Sequence, residues 1–158
     1  MQSAAARHLQ RLRIICGALF MSLAAYAGVV ASVGAPRQPA LTQGAHFLWI
    51  FAAVSVLNLV TVMPAYRAML AGPRRVFAVS QQVDPLLRAH FAAHVVAYVR
   101  LESVAVLGLI LYFLTGRVDS FAVFAAASAV GMLVLWPARS KVAALLVTPG
   151  MGTPPIQP

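Results

Sequence analysis

The sequence predicts an all-α membrane protein, a four-transmembrane-helix bundle with both termini cytoplasmic. Three observations predict it. The chain has 158 residues, 61% hydrophobic and only 9% charged, where a soluble domain carries about 25% charged residues. With so little charge and a mean hydropathy of +0.85 it cannot cover a water-facing surface. Its apolar residues gather into four runs, each near the roughly 20 residues that cross a ~30 Å hydrocarbon core as a helix. The basic residues alternate along the chain in the way that orients membrane helices. At this length one bundle is expected rather than several domains.

The first run spans about Ile14 to Val33 and follows Arg7, Arg11 and Arg13. Its start, "RHLQRLR", and the later "SVGA" also resemble a signal peptide cleaved after Ala35, although the apolar run is longer than the usual 7–15 residues of such a segment. "GAPRQPALTQGA" then reads as a short external turn region with one basic residue, Arg37, and places Gln38 outside. The second run spans about His46 to Tyr66. "AGPRRVFAVSQQVDPLLRA" reads as a longer cytoplasmic loop, with Arg67, Arg74, Arg75 and Arg88 at lipid headgroups. The third run spans about His90 to Leu114, and Arg117 alone marks the short external link to the fourth, about Val118 to Trp136. Arg139 and Lys141 return the chain to the cytoplasm, so residues 1–141 form the membrane domain and 142–158 a C-terminal tail. The end of that tail, "TPGMGTPPIQP", is rich in Pro and Gly and should be disordered.

Helices are the only sensible assignment for the four runs. An open strand would leave backbone groups unpaired in lipid, and the ~10-residue alternation of a barrel is absent. Gly17, Ala18, Ala24, Ala25 and Gly28 on the first helix, and Ala127 with Gly131 on the fourth, would allow close helix contacts. Trp49 and Trp136 fit anchoring at opposite interfaces. The expected setting is a bacterial inner membrane, crossed several times.

The chemistry concentrates on the third helix. His90, His94, Tyr98 and Glu102 recur every fourth residue, and each such step turns only ~40° around a helix, so they form one slanting polar stripe. The stripe reads either as a proton entry path ending at a buried carboxylate, or as interfacial anchors followed by a structural hydrogen bond. Arg100 sits about 200° from Glu102 around the helix, so the two do not face each other. A charge at the bilayer centre costs about 2.5–3.5 kcal/mol on the translocon scale. Each therefore needs a partner elsewhere, or Arg100 must reach the interface along its own stem. Ser22, Asn58 and Ser128 fall near the same depth, and a hydrogen-bonded layer through them is expected. Asn58 is the best candidate, because an amide both donates and accepts.

Other chemistries find no support. His90 and His94 have metal-ligand spacing, but Glu102 lies ~12 Å beyond His94 along the axis and no third ligand is near. His46 begins the second helix at the opposite face of the membrane, so it cannot share a haem with His94. No Gly-rich phosphate loop occurs, and Asp84 and Asp119 fall in opposite compartments, so no Ser/His/Asp set forms. The single Cys16 permits no internal disulfide. The net charge of +9 is a topology signal here, since no basic face is interleaved with exposed aromatics as nucleic acid would require. No enzyme, cofactor, metal or nucleic-acid partner is expected.

"ESVAVLGLILYFL" resembles the carboxylate helix of the rotary ATPase proteolipid, the c subunit, where a Glu precedes an "A-x-x-G-L" run. "SQQVDP", some twenty residues earlier, is similar to that subunit's cytoplasmic loop. The resemblance covers residues 80–114 and implies that Glu102 is an ion-binding carboxylate. As a whole the chain resembles small uncharacterised four-helix bacterial membrane proteins, a likeness that implies no activity. The expected function is that of an accessory or assembly subunit of a larger membrane complex, energy-transducing complexes included. A proton-binding, proteolipid-like translocation subunit and a basic lipid-binding scaffold are the alternatives. The expected partners are the lipid bilayer and other membrane subunits or further copies of the chain.

Overall fold

The computed structural model describes residues 2–34 and 44–146. Arg37, Gln38 and the tail from residue 147 onward, where the sequence predicts an external turn and disorder, lie outside the described residues. The rest is helical: α1 Gln2–Val33, α2 Gly44–Ser80, α3 Val83–Thr115, α4 Val118–Val134 and α5 Arg139–Leu146. Among the described residues there is no strand. Three helices are long and apolar enough to cross a membrane, and α4 with α5 makes a fourth span if that bent pair is counted as one. The architecture is compatible with a multi-pass membrane bundle.

α1, α2 and α3 outrun the apolar runs that announce them, while α4 stops two residues short of the expected Trp136. The expected cytoplasmic loop between the second and third runs is instead a helical hairpin. Its connection is only Gln81 and Gln82. Gln81 takes a left-handed φ of 57° and its N–H closes on the Phe77 carbonyl at 2.9 Å, the αL way of ending a helix. Polarity suggested a loop here, but Ala, Leu and Arg are good helix formers. The two prolines inside α2, Pro64 and Pro73, do not stop it. Each withholds one N–H, from the carbonyls of Val60 and Met69 four residues earlier, and membrane helices absorb such losses. The beginning of the expected tail is also helical, as α5.

α3 is the axis of the bundle, packed against α1, α2 and α4. The main core joins Leu12, Cys16 and Leu23 of α1 to Ala97, Tyr98, Leu101 and Ala105 of α3 and Met132 of α4. α3 and α4 approach closely, and glycine allows it. A Cβ at Gly108 would lie 2.5 Å from Phe124 Cβ, and one at Gly131 would lie 2.5 Å from Leu101 Cδ2. Gly131 thus has the packing role expected of it. The small residues of α1 do not: Ala18, Ala24, Ala25 and Gly28 are exposed, and nothing stands within 4 Å of a Cβ at Gly17 or Gly28. Many large apolar side chains also face outward, among them Ile14, Met21, Trp49, Ile50, Leu57 and Val60.

α4 bends into α5 by 52°, with Pro137 in the link. A helix that stops leaves its last carbonyls without intrahelical donors. Here side chains supply them. Tyr98 Oη donates to the Met132 carbonyl at 2.7 Å. Lys141 Nζ donates to Val134 at 2.7 Å and to Trp136 at 3.2 Å. Arg13 Nε donates to Pro137 at 3.3 Å. Arg13 and Lys141, expected only as topology markers, therefore also hold the bend together.

Candidate functional site

Two polar centres sit on α3, two to three turns apart. The first lies at the end of the bundle where α1 around Leu9, the α2–α3 hairpin and α5 meet. Leu9, Leu87 and Val142 pack together there, as do Leu70, Phe77, Leu86 and Leu145. His90 and His94 are on successive turns, each only 2% exposed, with ring centroids 4.3 Å apart. His94 Nδ1 lies 3.1 Å from the His90 carbonyl. A carbonyl only accepts, so Nδ1 carries the hydrogen. Tyr66 of α2 meets the His94 ring edge-on at 5.0 Å. His8 of α1 reaches in from the other side, its Nε2 3.1 Å from His90 Nδ1. His8 was not singled out in the sequence, where it stands as a lone histidine among N-terminal arginines. Its distance from the start of the first apolar run, about two turns, was the usable signal. Among the described residues no group of three His, Cys, Asp or Glu can hold a metal ion.

Tyr98, next on the stripe, is fully buried. Its hydrogen goes to the Met132 carbonyl, which has no proton to pass on. The histidine cluster and Glu102 are thus two separate sites rather than one continuous relay of side chains.

The second centre surrounds Arg100 and Glu102, both half-buried. As their angular separation requires, they turn to different neighbours. Glu102 Oε1 accepts a 2.8 Å hydrogen bond from Tyr26 Oη of α1. Arg100 Nη1 donates to Thr61 Oγ1 of α2 at 3.4 Å. The expected polar layer does not form around them. Ser22 donates to Leu19 of its own helix at 2.6 Å, and Asn58 Nδ2 to Val54 of its own helix at 3.2 Å. Ser128 does cross from α4 to α3, but to the Leu101 carbonyl, at 2.7 Å. Asn58 is therefore not the partner of either charge. The partners are Tyr26, one turn beyond Ser22, and Thr61, three residues beyond Asn58.

Arg67, Arg74, Arg75 and Arg88 are all exposed, on the hairpin helices rather than on a loop. The one ion pair among the described residues is Arg117 with Asp119 at 2.6 Å, both side chains 63% exposed. Burial that slight leaves such a pair worth little.

No family model matches the chain, and no curated protein or solved structure matches it.

Proposed function

We propose that this chain is a non-enzymatic integral membrane subunit that docks onto another membrane protein through α3, as an accessory or assembly subunit of a larger complex. The reading places it in a bacterial inner membrane with the arginine-rich end towards the cytoplasm, following the positive-inside rule. The observation that carries it is the state of Arg100. A guanidinium has five N–H donors, and this one makes a single side-chain hydrogen bond, at 3.4 Å. Arg100 forms no ion pair with Asp84, Glu102 or Asp119. On α3 it stands beside Val96 and Val99, which are 41% and 51% exposed. A charge so placed near mid-span has an unmet need for an anionic partner, and a carboxylate on a neighbouring subunit answers it. The open small-residue face of α1 supports the same reading, since such faces allow close helix approach.

The test is co-purification from native membranes in mild detergent. Wild-type chain should bring down a stoichiometric membrane partner, Arg100→Leu should lose it, and Arg100→Lys should keep part of it. A partner held equally well by Arg100→Leu, or a wild-type chain that leaves the membrane as a monomer, would overturn the reading.

A second reading rests on the Tyr26–Glu102 hydrogen bond, which holds a carboxylate ready between α1 and α3. In it, Glu102 binds a transported proton. Hydrophobic carbodiimides attack carboxyls that carry their proton. A pH-dependent adduct on Glu102, absent in Glu102→Gln along with proton flux, would favour this reading. Unchanged flux in Glu102→Gln vesicles would end it.

A further inference from the structure

We infer that the basic hollow between the first turns of α1 and the start of α3 binds the phosphate of an anionic membrane lipid. The hollow is about 510 Å³, and Arg7, His8, Arg11, Arg88, Leu87 and Phe91 line it together with Asp84. Arg7 and Arg11 are one turn apart on one face of α1. The His8–His90 hydrogen bond at 3.1 Å and the edge contact of His8 with Phe91 at 6.3 Å fix the register of α1 on α3. That register brings Arg88 across from Arg7 and Arg11. None of the three arginines is in an ion pair, and Asp84 engages none of them. Three guanidiniums aimed at one hollow with one carboxylate beside them repel each other until an anion enters. Phosphate fits best, because its oxygens match the planar donor fork of arginine.

The location selects a lipid over a dissolved phosphate. Arg11 lies one turn before Ile14, where the apolar run begins and the side chain is 64% exposed. A phosphate in the hollow is then at headgroup level, with Leu87 and Phe91 as apolar lining beside it. Basic pockets between membrane helices on this side suit such headgroups. A larger groove, about 870 Å³, runs between α1 and α5. It is less suited, because it holds two arginines rather than three, Arg13 and Arg139, and Arg13 is already committed to the Pro137 carbonyl. The inference stands apart from the docking role of Arg100, and either can fail alone.

Native mass spectrometry of the full chain in detergent tests it. Cardiolipin and phosphatidylglycerol should be retained as one-to-one adducts, phosphatidylcholine should not, and retention should fall as salt rises. Arg11→Gln and Arg88→Gln should each weaken retention roughly fivefold, as expected for one basic residue at a membrane surface. Arg139→Gln removes the same charge from the same end outside the hollow and should change nothing. Equal retention of phosphatidylcholine would overturn the inference. So would an Arg139→Gln effect as large as that of Arg88→Gln, which would mean diffuse charge only. Displacement of the lipid by an equal concentration of glycerol 3-phosphate would overturn the lipid assignment and leave a soluble phosphate ester as the ligand.

Discussion

Gly108→Ala should destabilise the bundle by about 1–3 kcal/mol, the range for forcing an extra methyl into a packed core. The new Cβ would stand 2.5 Å from Phe124 Cβ, 3.2 Å from Phe124 Cγ and 3.4 Å from the Phe121 carbonyl. A Cβ is rigidly tied to its backbone, so α4 itself must retreat from α3. Gly131→Ala should cost less, because its obstacle is the tip of Leu101, which can rotate, although Leu101 is only 1% exposed. Gly28→Ala meets nothing within 4 Å and serves as the reference. Thermal or denaturant unfolding in one detergent ranks the three. Gly108→Ala as stable as Gly28→Ala would mean that α3 and α4 are not this close.

Tyr98→Ala should be still more damaging, about 3–5 kcal/mol, as for other large aromatic truncations in a core. Tyr98 is fully buried, among Leu12, Cys16, Leu101 and Met132, so truncation opens a cavity between three helices. It also removes the donor to the Met132 carbonyl. Tyr98→Phe separates the two effects. It keeps the volume and leaves one carbonyl unpaired near the end of α4, which costs about 1–2 kcal/mol. Lys141→Met, which strips two further donors from the bend, should add to Tyr98→Phe in unfolding measurements. If Tyr98→Phe matches wild type while Tyr98→Ala does not, the hydroxyl contributes nothing and packing alone holds α4.

The helical class was legible because lipid permits so few backbone structures, and the four runs were legible because hydropathy marks them. That Arg100 and Glu102 avoid each other followed from helix geometry alone. Their partners did not. Counting residues from one interface fixes depth only to about one turn, ~5.4 Å, because tilt is unknown. The count reached Ser22 and Asn58 where the structure uses Tyr26 and Thr61. His8 was missed because its role appears only once α1 is rotated against α3. The hairpin was hidden by its polarity and its prolines, which resemble loop signals when no hydrogen-bond accounting is possible. The capping of the α4–α5 bend was hidden for a related reason: charge patterning shows where Arg13 and Lys141 lie, not what their donors meet.

The hairpin has a mechanical consequence. α2 and α3, of 37 and 33 residues, are about 55 and 50 Å long, well beyond the ~30 Å hydrocarbon thickness. A push at Gln81–Gln82 is not absorbed by a slack connection but travels down two rods of unequal stiffness. α3 has no proline beyond Pro85, near its start, so no proline interrupts its hydrogen-bond ladder further along. α2 lacks backbone hydrogen bonds at Pro64 and Pro73 and yields at those joints. Relative motion between the rods then falls on the contact just past the inner joint, the 3.4 Å hydrogen bond between Thr61 and Arg100. A tilt of the hairpin tip would thereby load the hold on Arg100, half-buried on α3 six residues beyond His94.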